Sequence, residues 1–247
     1  MKKQPIAVFD IDGTLFRWQL YHELVFELNS RGVFDAPTAE LLENALVEWN
    51  AGLRDWHDYE MAVVNSLEPI IASLPIDVYN DAVKAVMAQS GHKTYAYTKN
   101  LAKSLKKQGY FLLAVSGSQQ EIVEPFTERY GFDDCIGALY ERDGETFTGT
   151  IIRRVPGRKH SIVTEYLGSH PELTLKGSVA VGDTEGDISI LEIVDTPIAF
   201  NPSAPLFDVA MKKDWKVVIQ RKNIAYTLGK EGKEQDGPFI LEKTDRF

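Results

Sequence analysis

The amino-acid sequence predicts an α/β protein in which a doubly wound, mostly parallel sheet is interrupted by one all-helical insertion. Short apolar runs alternate with helical stretches at the start of the chain and again after Lys99, and this alternation is typical of parallel sheets with right-handed crossovers. Between them, from about Phe16 to Thr98, apolar residues recur at helical spacing without a strand pattern. The predicted units are a core of residues 1–15 and 99–225, the insertion 16–98, and a C-terminal tail 226–247.

The first strand is the apolar run Ile6–Phe9, and two carboxylates, Asp10 and Asp12, follow it directly. Residues at the carboxyl end of such a strand lie at the edge where open α/β sheets bind ligands. Because two neighbouring carboxylates repel each other, they imply a cation. Gly13 allows a sharp turn, and the Thr14 hydroxyl can fix the backbone after it. No further oxygen ligands follow at EF-hand spacing, which argues against a calcium loop.

The insertion is predicted to contain about four helices. Leucines recur every four residues at Leu20, Leu24 and Leu28, and similar apolar stripes continue to about Met87. Glycine and proline residues separate these stripes. They are Gly32, Pro37, Gly52, Pro75 and Gly91.

The alternation of helices and strands returns after the insertion. Ser116 is expected to open a helix after the strand 110–115, and the Asp143-Gly144 pair predicts a β-hairpin. The other predicted elements are helices over 101–108, 160–167 and 188–194, and strands over 136–140, 146–153, 179–181, 197–200 and 215–219. The glycine-rich, charged stretch 229–238 is expected to be mobile or loosely draped.

Composition limits the function classes. The net charge of −9 opposes general binding to nucleic acids or anionic membranes, because phosphates would be repelled. No uncharged stretch is long enough to span a bilayer, and the apolar run near the amino terminus is too short for a signal peptide. The single cysteine, Cys135, cannot form an internal disulfide and is expected to be a small buried residue. These features favour a mature cytoplasmic protein and predict no oligomeric state.

Polar residues that follow strands are expected to meet at one edge of the sheet. Asp10, Ser116 and Asp183 each come directly after a predicted strand, and the carboxyl ends of parallel strands share one edge. Asp187 lies one turn after Asp183, and Lys159 lies at the start of a helix. The sequence therefore predicts one crevice that collects residues far apart along the chain.

Four short motifs resemble those of the haloacid dehalogenase superfamily and occur in the same order. They are Asp10-Ile11-Asp12-Gly13-Thr14, Val115-Ser116-Gly117-Ser118, Lys159 before a helix, and Gly182-Asp183-Thr184-Glu185-Gly186-Asp187. The resemblance covers the core and implies a Rossmann-like sheet. The insertion directly after the first motif is similar to the helical cap of the phosphoserine phosphatase-like branch.

The resemblance implies a phosphatase that uses covalent catalysis. Asp10 would attack phosphorus to form an aspartyl-phosphate, and Asp12 would protonate the leaving alcohol and then deprotonate the hydrolytic water. Lys159 would place a compact positive charge between the nucleophile and the phosphoryl group. The hydroxyl of Ser116 and the N–H of Gly117, expected at a helix start, would hold a phosphoryl oxygen.

Mg²⁺ is the expected cofactor. A phosphate ester would be repelled by the acidic residues unless a cation intervened, and Mg²⁺ prefers oxygen ligands. We assign it Asp10, the backbone carbonyl of Asp12, Asp183 and Asp187, the last directly or through water. The expected substrate is a small phosphorylated metabolite.

Two alternatives stay open. Sugar phosphomutases of the superfamily carry a small helical cap at this place, so the acceptor could be a second substrate in place of water. A metal- and phosphate-binding regulatory domain without turnover is the other alternative. Carbon–halogen cleavage is disfavoured, because dehalogenases of the superfamily lack the second aspartate of the first motif and need no metal, whereas Asp12, Asp183 and Asp187 are present.

Arg17 and Gln19 are the candidate substrate contacts at the entry to the insertion. Phosphoserine phosphatases carry a glutamate nine residues after the nucleophile, where this chain has Gln19. A neutral amide cannot neutralise a substrate amino group, so phosphoserine is not the expected substrate unless Glu23, one turn later, takes that role. Arg17 would bind an anionic part of the substrate, or lie on the surface. Among the histidines, His160 is expected near the site.

Overall fold

The computed structural model describes residues 3–230 and 239–247, and within them nine strands form one sheet in the order β4-β3-β2-β1-β5-β6-β7-β8-β9. The strands are β1 (Gln4–Phe9), β2 (Phe111–Gln119), β3 (Asp134–Asp143), β4 (Thr146–Arg153), β5 (Leu173–Gly182), β6 (Thr196–Phe200), β7 (Lys216–Arg221), β8 (Ile224–Lys230) and β9 (Phe239–Arg246). The five central pairings, from β3 to β7, are parallel, and the pairings at the two ends are antiparallel. The predicted mostly parallel sheet is confirmed.

Helices precede or follow most strands. They are α1 (Leu20–Ser30), α2 (Ala36–Asn50), α3 (Trp56–Leu67), α4 (Ile76–Gln89), α5 (Ala96–Lys107), α6 (Gln120–Arg129), α7 (Lys159–Ser169), α8 (Ile188–Leu191) and α9 (Ala204–Lys212). In the described part of the chain, no helix combines the length and the apolar character needed to cross a bilayer.

The central strand β1 is apolar on both faces. Ile6 and Val8 pack into a cluster with residues of α7, α8 and α9, whereas Ala7 and Phe9 pack into a second cluster with residues of α5. Because side chains alternate along a strand, a continuous apolar run is what a strand covered by helices on both faces requires. The sheet is therefore doubly wound, as predicted.

The carboxyl ends of β1, β2 and β5 lie side by side. Phe9 is opposite Ala114 in β2 and Val181 in β5. This register brings the residues that follow β1 and β5 next to the last residues of β2.

Strand β2 is longer than predicted. It continues through Ser116 to Gln119, which pairs with Ala138, and α6 begins only at Gln120. The expectation that Ser116 opens a helix is wrong. The hydroxyl groups of this stretch bind a carboxylate across the crevice, and these bonds favour an extended backbone.

The insertion between β1 and β2 is all-helical. It contains α1 to α4 and a short 3-10 turn over Ile71–Ser73, whereas α5 already belongs to the core. The chain enters and leaves the insertion at one place, because Tyr95 N donates to the Leu15 carbonyl at 3.0 Å and Phe16 forms an isolated bridge with Thr94.

The start of α4 contacts the β3–β4 hairpin, which forms at the predicted Asp143-Gly144 turn. Ile76 N donates to the Glu145 carbonyl at 2.9 Å, and the rings of Tyr79 and Phe147 lie 5.1 Å apart. One apolar cluster contains residues of α1 to α4 together with residues of α6 and the hairpin. The insertion and the core therefore share a hydrophobic interior.

The structure differs from the prediction at the C-terminus. Residues 226–230 and 239–246, expected as part of a tail, belong to strands that extend the sheet beyond β7. Ala225 and Thr227 of β8 are buried, and they lie two residues apart, on the same face of the strand. The burial of this face stabilises a strand in a stretch whose composition is polar. Of the stretch expected to be mobile, the first two residues end β8, and residues 231–238 lie outside those described.

Candidate active site

Four charged side chains from three parts of the fold meet at the carboxyl edge of the sheet. Asp10 follows β1, Lys159 begins α7, and Asp183 and Asp187 follow β5. The Lys159 Nζ atom lies 2.6 Å from Asp10 Oδ1 and 2.5 Å from Asp187 Oδ1. One oxygen from each of the three carboxylates lies within 4.8 Å of the others. The structure thus brings together residues that the sequence placed at separate strand ends.

Lys159 is the buried cation of this cluster, with 7% of its surface exposed. Burial lowers the pKa of its ammonium group, but the carboxylates of Asp10 and Asp187 raise that pKa by more, so the net shift is upward. The ammonium group therefore stays charged. Two of its three N–H groups bind the carboxylates, which leaves one for another acceptor.

Two glycines permit the close approach of the acidic loops. Gly13 has φ +78°, and a Cβ atom there would lie 2.1 Å from Asp183 Oδ2. A Cβ atom at Gly182 would lie 2.4 Å from the Asp187 side chain. The Thr14 hydroxyl donates to Asp183 Oδ1 at 2.9 Å, so the turn after β1 and the loop after β5 are also joined directly.

Asp187 is completely buried and held at both oxygens. Its Oδ1 accepts from Lys159, and its Oδ2 accepts from the backbone N–H groups of Asp183 and Thr184, each at 3.1 Å. These bonds fix the loop after β5.

Asp12 faces away from the acidic cluster. Its Oδ2 accepts from the hydroxyls of Ser116 at 2.5 Å and Ser118 at 2.9 Å, and its Oδ1 accepts from the Leu20 N–H at 2.5 Å. Burial raises the pKa of the Asp12 carboxyl, although these hydrogen bonds act in the opposite direction. The two aspartates of the first motif therefore lie in different environments.

The Ser116 hydroxyl donates a hydrogen bond to Asp12, and its oxygen accepts from the Ser118 N–H at 2.9 Å. A carboxylate is a strong acceptor for a hydroxyl. That Ser116 holds a phosphoryl oxygen stays a prediction. Gly117 lines the cavity as expected, but from strand β2 and not from a helix start.

The acidic cluster has more negative charge than Lys159 can balance. Burial raises the pKa of Asp10 to about 7, despite the opposing effect of Lys159, and raises the pKa of Asp183 well above its ordinary value. Asp10 therefore needs further positive charge nearby to stay ionised at neutral pH. Three converging carboxylates are the donor set of a hard divalent cation, so these residues fit such an ion.

A cavity of about 630 Å³ opens above the cluster. The carboxylate region of this cavity is lined by Asp10, Asp12 and Lys159. The part that we call the cap region is lined by Tyr21, His22, Trp56, Glu60, Val64, Glu68, Gln119 and Tyr140.

One face of α3 supplies much of the cap region. Trp56, Glu60 and Val64 of α3 and Glu68 directly after it follow one another at four-residue spacing, which places them along one side of the helix. These residues were not among the predicted site residues. The spacing was the available signal, because a stripe that mixes an aromatic, an apolar and two acidic residues is neither a typical core face nor a typical solvent face.

His22 is a buried histidine in the wall of the cavity. Its ring stacks on Trp56 at 5.5 Å and contacts Tyr59 edge-on at 5.2 Å. Burial lowers the pKa of His22 to about 3, so the imidazole is neutral. Within the described residues, His22 Nδ1 and Gln119 Oε1 are buried without a hydrogen-bond partner.

Other candidates from the sequence lie elsewhere. Gln19 lines the cavity, but Arg17 is exposed outside it, with its guanidinium 5.5 Å from the Tyr95 ring centre. Glu23 accepts a short hydrogen bond from Ser90 and pairs with a lysine at 3.3 Å, so it does not replace the missing glutamate. His160 is exposed and does not line the cavity, in contrast to His22 and to the exposed His57.

Comparisons with known proteins agree with this geometry. A family model described as haloacid dehalogenase-like hydrolase matches residues 7–192. A phosphoserine phosphatase from Archaeoglobus fulgidus is 27% identical over 210 residues, which are 85% of this chain and 56% of that protein. The chain thus spans little more than half the length of that relative. A histidinol-phosphatase from Neisseria meningitidis is 24% identical over 226 residues, which are 86% of this chain and 97% of that protein.

A solved structure shares the fold. It belongs to a protein of unknown function from Bordetella pertussis Tohama I and superposes with a TM-score of 0.71 at 20% identity, covering 87% of this chain and 98% of the other. The family match extends over three quarters of the chain and includes Asp10 and Asp187. The chain belongs to the haloacid dehalogenase-like hydrolase family, in the branch that resembles phosphoserine phosphatases.

Proposed function

We propose that the protein is a magnesium-dependent phosphatase that hydrolyses a small phosphate monoester through an aspartyl-phosphate. The observation that carries this proposal is that Asp10 and Asp12 have different hydrogen-bond partners. Asp10 lies against Lys159 in the acidic cluster, whereas Asp12 is two residues away among hydroxyl donors. A nucleophile beside a cation and a separate acid/base group are what covalent phosphoryl transfer requires.

Asp10 is the proposed nucleophile. Its Oδ1 is bound to Lys159, so its Oδ2 is the oxygen assigned to attack phosphorus. The P–O bond to the alcohol breaks as the Asp10–phosphorus bond forms, and the third N–H of Lys159 and the N–H of Gly117 stabilise charge on the phosphoryl oxygens.

Asp12 is the proposed general acid and then general base. Burial raises the pKa of its carboxyl, against the effect of its hydrogen-bond donors, and in the proposed first step this carboxyl gives a proton to the leaving alcohol. The resulting carboxylate then takes a proton from water, which attacks the aspartyl-phosphate and releases inorganic phosphate with Asp10 restored. Ser116 and Ser118 act as positioning residues because they hold the Asp12 carboxyl.

Asp10, the Asp12 carbonyl and Asp183 are the proposed ligands of Mg²⁺, and Asp187, whose oxygens both accept protein hydrogen bonds, completes the site directly or through water. The ion would neutralise charge on the phosphoryl group and its nucleophile. A cytoplasmic location, expected from the single cysteine, belongs to the same proposal.

Hydrolysis of p-nitrophenyl phosphate with and without Mg²⁺ tests the proposal. We expect turnover that EDTA abolishes and that Asp10→Asn lowers by at least about 10³-fold. Asp208→Asn, an exposed residue of α9, is the matched control and should retain activity. Absence of metal-dependent turnover across a broad panel of phosphate esters would support the regulatory-domain alternative.

The phosphotransferase alternative is tested by stoichiometry. If water is the acceptor, inorganic phosphate appears in the amount of ester consumed, even when sugars or alcohols are added. If an added acceptor becomes phosphorylated in place of phosphate release, the hydrolase assignment fails.

A further inference from the structure

The cap region of the cavity is rich in hydrogen-bond acceptors. Glu60 of α3 and Glu68, the residue directly after α3, line this cavity together with Glu185 from the loop after β5. Three carboxylates around one cavity favour a ligand that carries positive charge or donates hydrogen bonds.

Each lysine or arginine that lines the cavity has an acidic neighbour. Among the described residues, the cavity is lined by one lysine and one arginine. Lys159 is bound to Asp10 and Asp187, and the Arg154 guanidinium lies 3.8 Å from Glu68. Two histidines also line the cavity: His22 is neutral, and the exposed His57 lowers the pKa of Glu60.

Glu60 is a cavity carboxylate with acidic neighbours. It is half-buried, and burial raises its pKa, which His57 opposes and the carboxylates of Glu185 and Asp12 increase further. An added positive charge would relieve both the burial cost and this repulsion. Trp56 and Tyr21 provide aromatic surface in the same part of the cavity, and such surface also attracts organic cations.

We propose that the organic part of the substrate carries an ammonium group and no free carboxylate, and that Glu60 is its counter-charge. This inference rests on the proposed phosphatase function and specifies its substrate class. It makes Glu60 a specificity-determining residue, separate from the groups that react.

Three short esters of similar size test the inference on the unmodified protein. Phosphoethanolamine carries the ammonium group alone, phosphoglycolate carries the carboxylate alone, and phosphoserine carries both. We expect kcat/KM to fall in the order phosphoethanolamine, phosphoserine, phosphoglycolate, with about a tenfold or larger ratio between the first and the last. An equal rate for all three, or a preference for phosphoglycolate, overturns the inference.

The variant Glu60→Gln tests the assigned residue. It should lower the phosphoethanolamine to phosphoglycolate ratio about tenfold, mainly through KM for phosphoethanolamine. The matched control is Glu43→Gln, which removes the same charge from an exposed position of α2 outside the cavity and should leave the ratio unchanged. Because the ratio is measured within one variant, partial unfolding does not alter it. An unchanged ratio in Glu60→Gln overturns the assignment.

Hydrolysis of p-nitrophenyl phosphate separates the two proposals. If neither this ester nor any other of a broad panel of phosphate esters is hydrolysed in a Mg²⁺-dependent manner, the phosphatase function fails. If it is hydrolysed but the ammonium group gives no advantage, only the inference about the substrate fails.

Discussion

The two regions of the cavity differ in how their polar groups are satisfied. In the carboxylate region, Asp12 accepts three hydrogen bonds from the protein, and Lys159 donates to Asp10 and Asp187. In the cap region, Glu60 is half-buried, and the nearby carboxylates of Glu185 and Asp12 raise its pKa further. The difference teaches that the groups for chemistry are preorganised by protein partners, whereas the proposed recognition group is left for a ligand to neutralise.

Removal of the central cation should have the largest effect. Lys159→Met leaves Asp10 and Asp187 as uncompensated buried charges, and we expect it to lower the free energy of unfolding by about 3–5 kcal/mol at neutral pH. Urea unfolding measures the loss. Lys103→Met, at an exposed position of α5, should cost under about 0.5 kcal/mol. Equal stability of the two variants would mean that the carboxylate region is not held together by Lys159.

Gly13→Ala should disturb the carboxylate region next most strongly. Its Cβ would collide with Asp183 and it would keep a positive φ, so we expect a loss of about 2–3 kcal/mol in the free energy of unfolding. Gly32→Ala is the matched control, because Gly32 has φ +73° but no atom within 4 Å of the added Cβ. It should cost about 1 kcal/mol by thermal or urea unfolding. Equal losses would show that the contact with Asp183 relaxes freely.

His22, a residue of the cap region, should make the folded protein less stable at acidic pH. The pKa of His22 is lower in the folded chain than in the unfolded chain, so the unfolded chain binds the proton first and stability falls as pH decreases below about 6.5. At pH 5 this cost is about 2 kcal/mol. His22→Phe removes it and keeps a ring against Trp56. Unfolding at pH 7 and pH 5 should therefore show a smaller acid loss in the variant, and parallel pH profiles would contradict the burial of a neutral imidazole.

Arg17→Ala should have the smallest effect, and it tests whether the substrate site extends to Arg17. Because Arg17 lies outside the cavity over Tyr95, we expect a loss of about 0.5–1 kcal/mol in stability and a change in kcat/KM within about twofold. Steady-state kinetics on a phosphate ester checks this. A large rise in KM would place Arg17 among the substrate contacts after all.

The sequence was most informative for site residues that directly follow a strand. Asp10 and Asp183 could be placed together because the carboxyl ends of parallel strands share an edge, whereas Lys159 was assigned to the site from the order of the four motifs. Ser116 was assigned to a helix because a serine after an apolar run is a common cap, but its bond to Asp12 depends on a contact 104 residues away in sequence. Local patterns do not contain such contacts.

The residues that line the cap region could not be predicted from the sequence, for a related reason. Which side of α3 faces the cavity depends on how the helix packs on the core, and Glu60 has the residue type of an ordinary solvent-exposed position. The strands at the C-terminus were missed because β8 gains its burial only beside β7. In both cases the deciding interaction is tertiary and not a property of the segment itself.

The contact between α4 and the β3–β4 hairpin has a consequence for how this protein could be re-engineered. The Ile76–Glu145 hydrogen bond and the Tyr79–Phe147 ring pair join two segments that belong to different units of the chain. A cap transplanted from a relative would therefore expose apolar hairpin surface unless the hairpin were exchanged with it. The cap and the hairpin would have to be exchanged together. We expect substrate preference to change when both vary together.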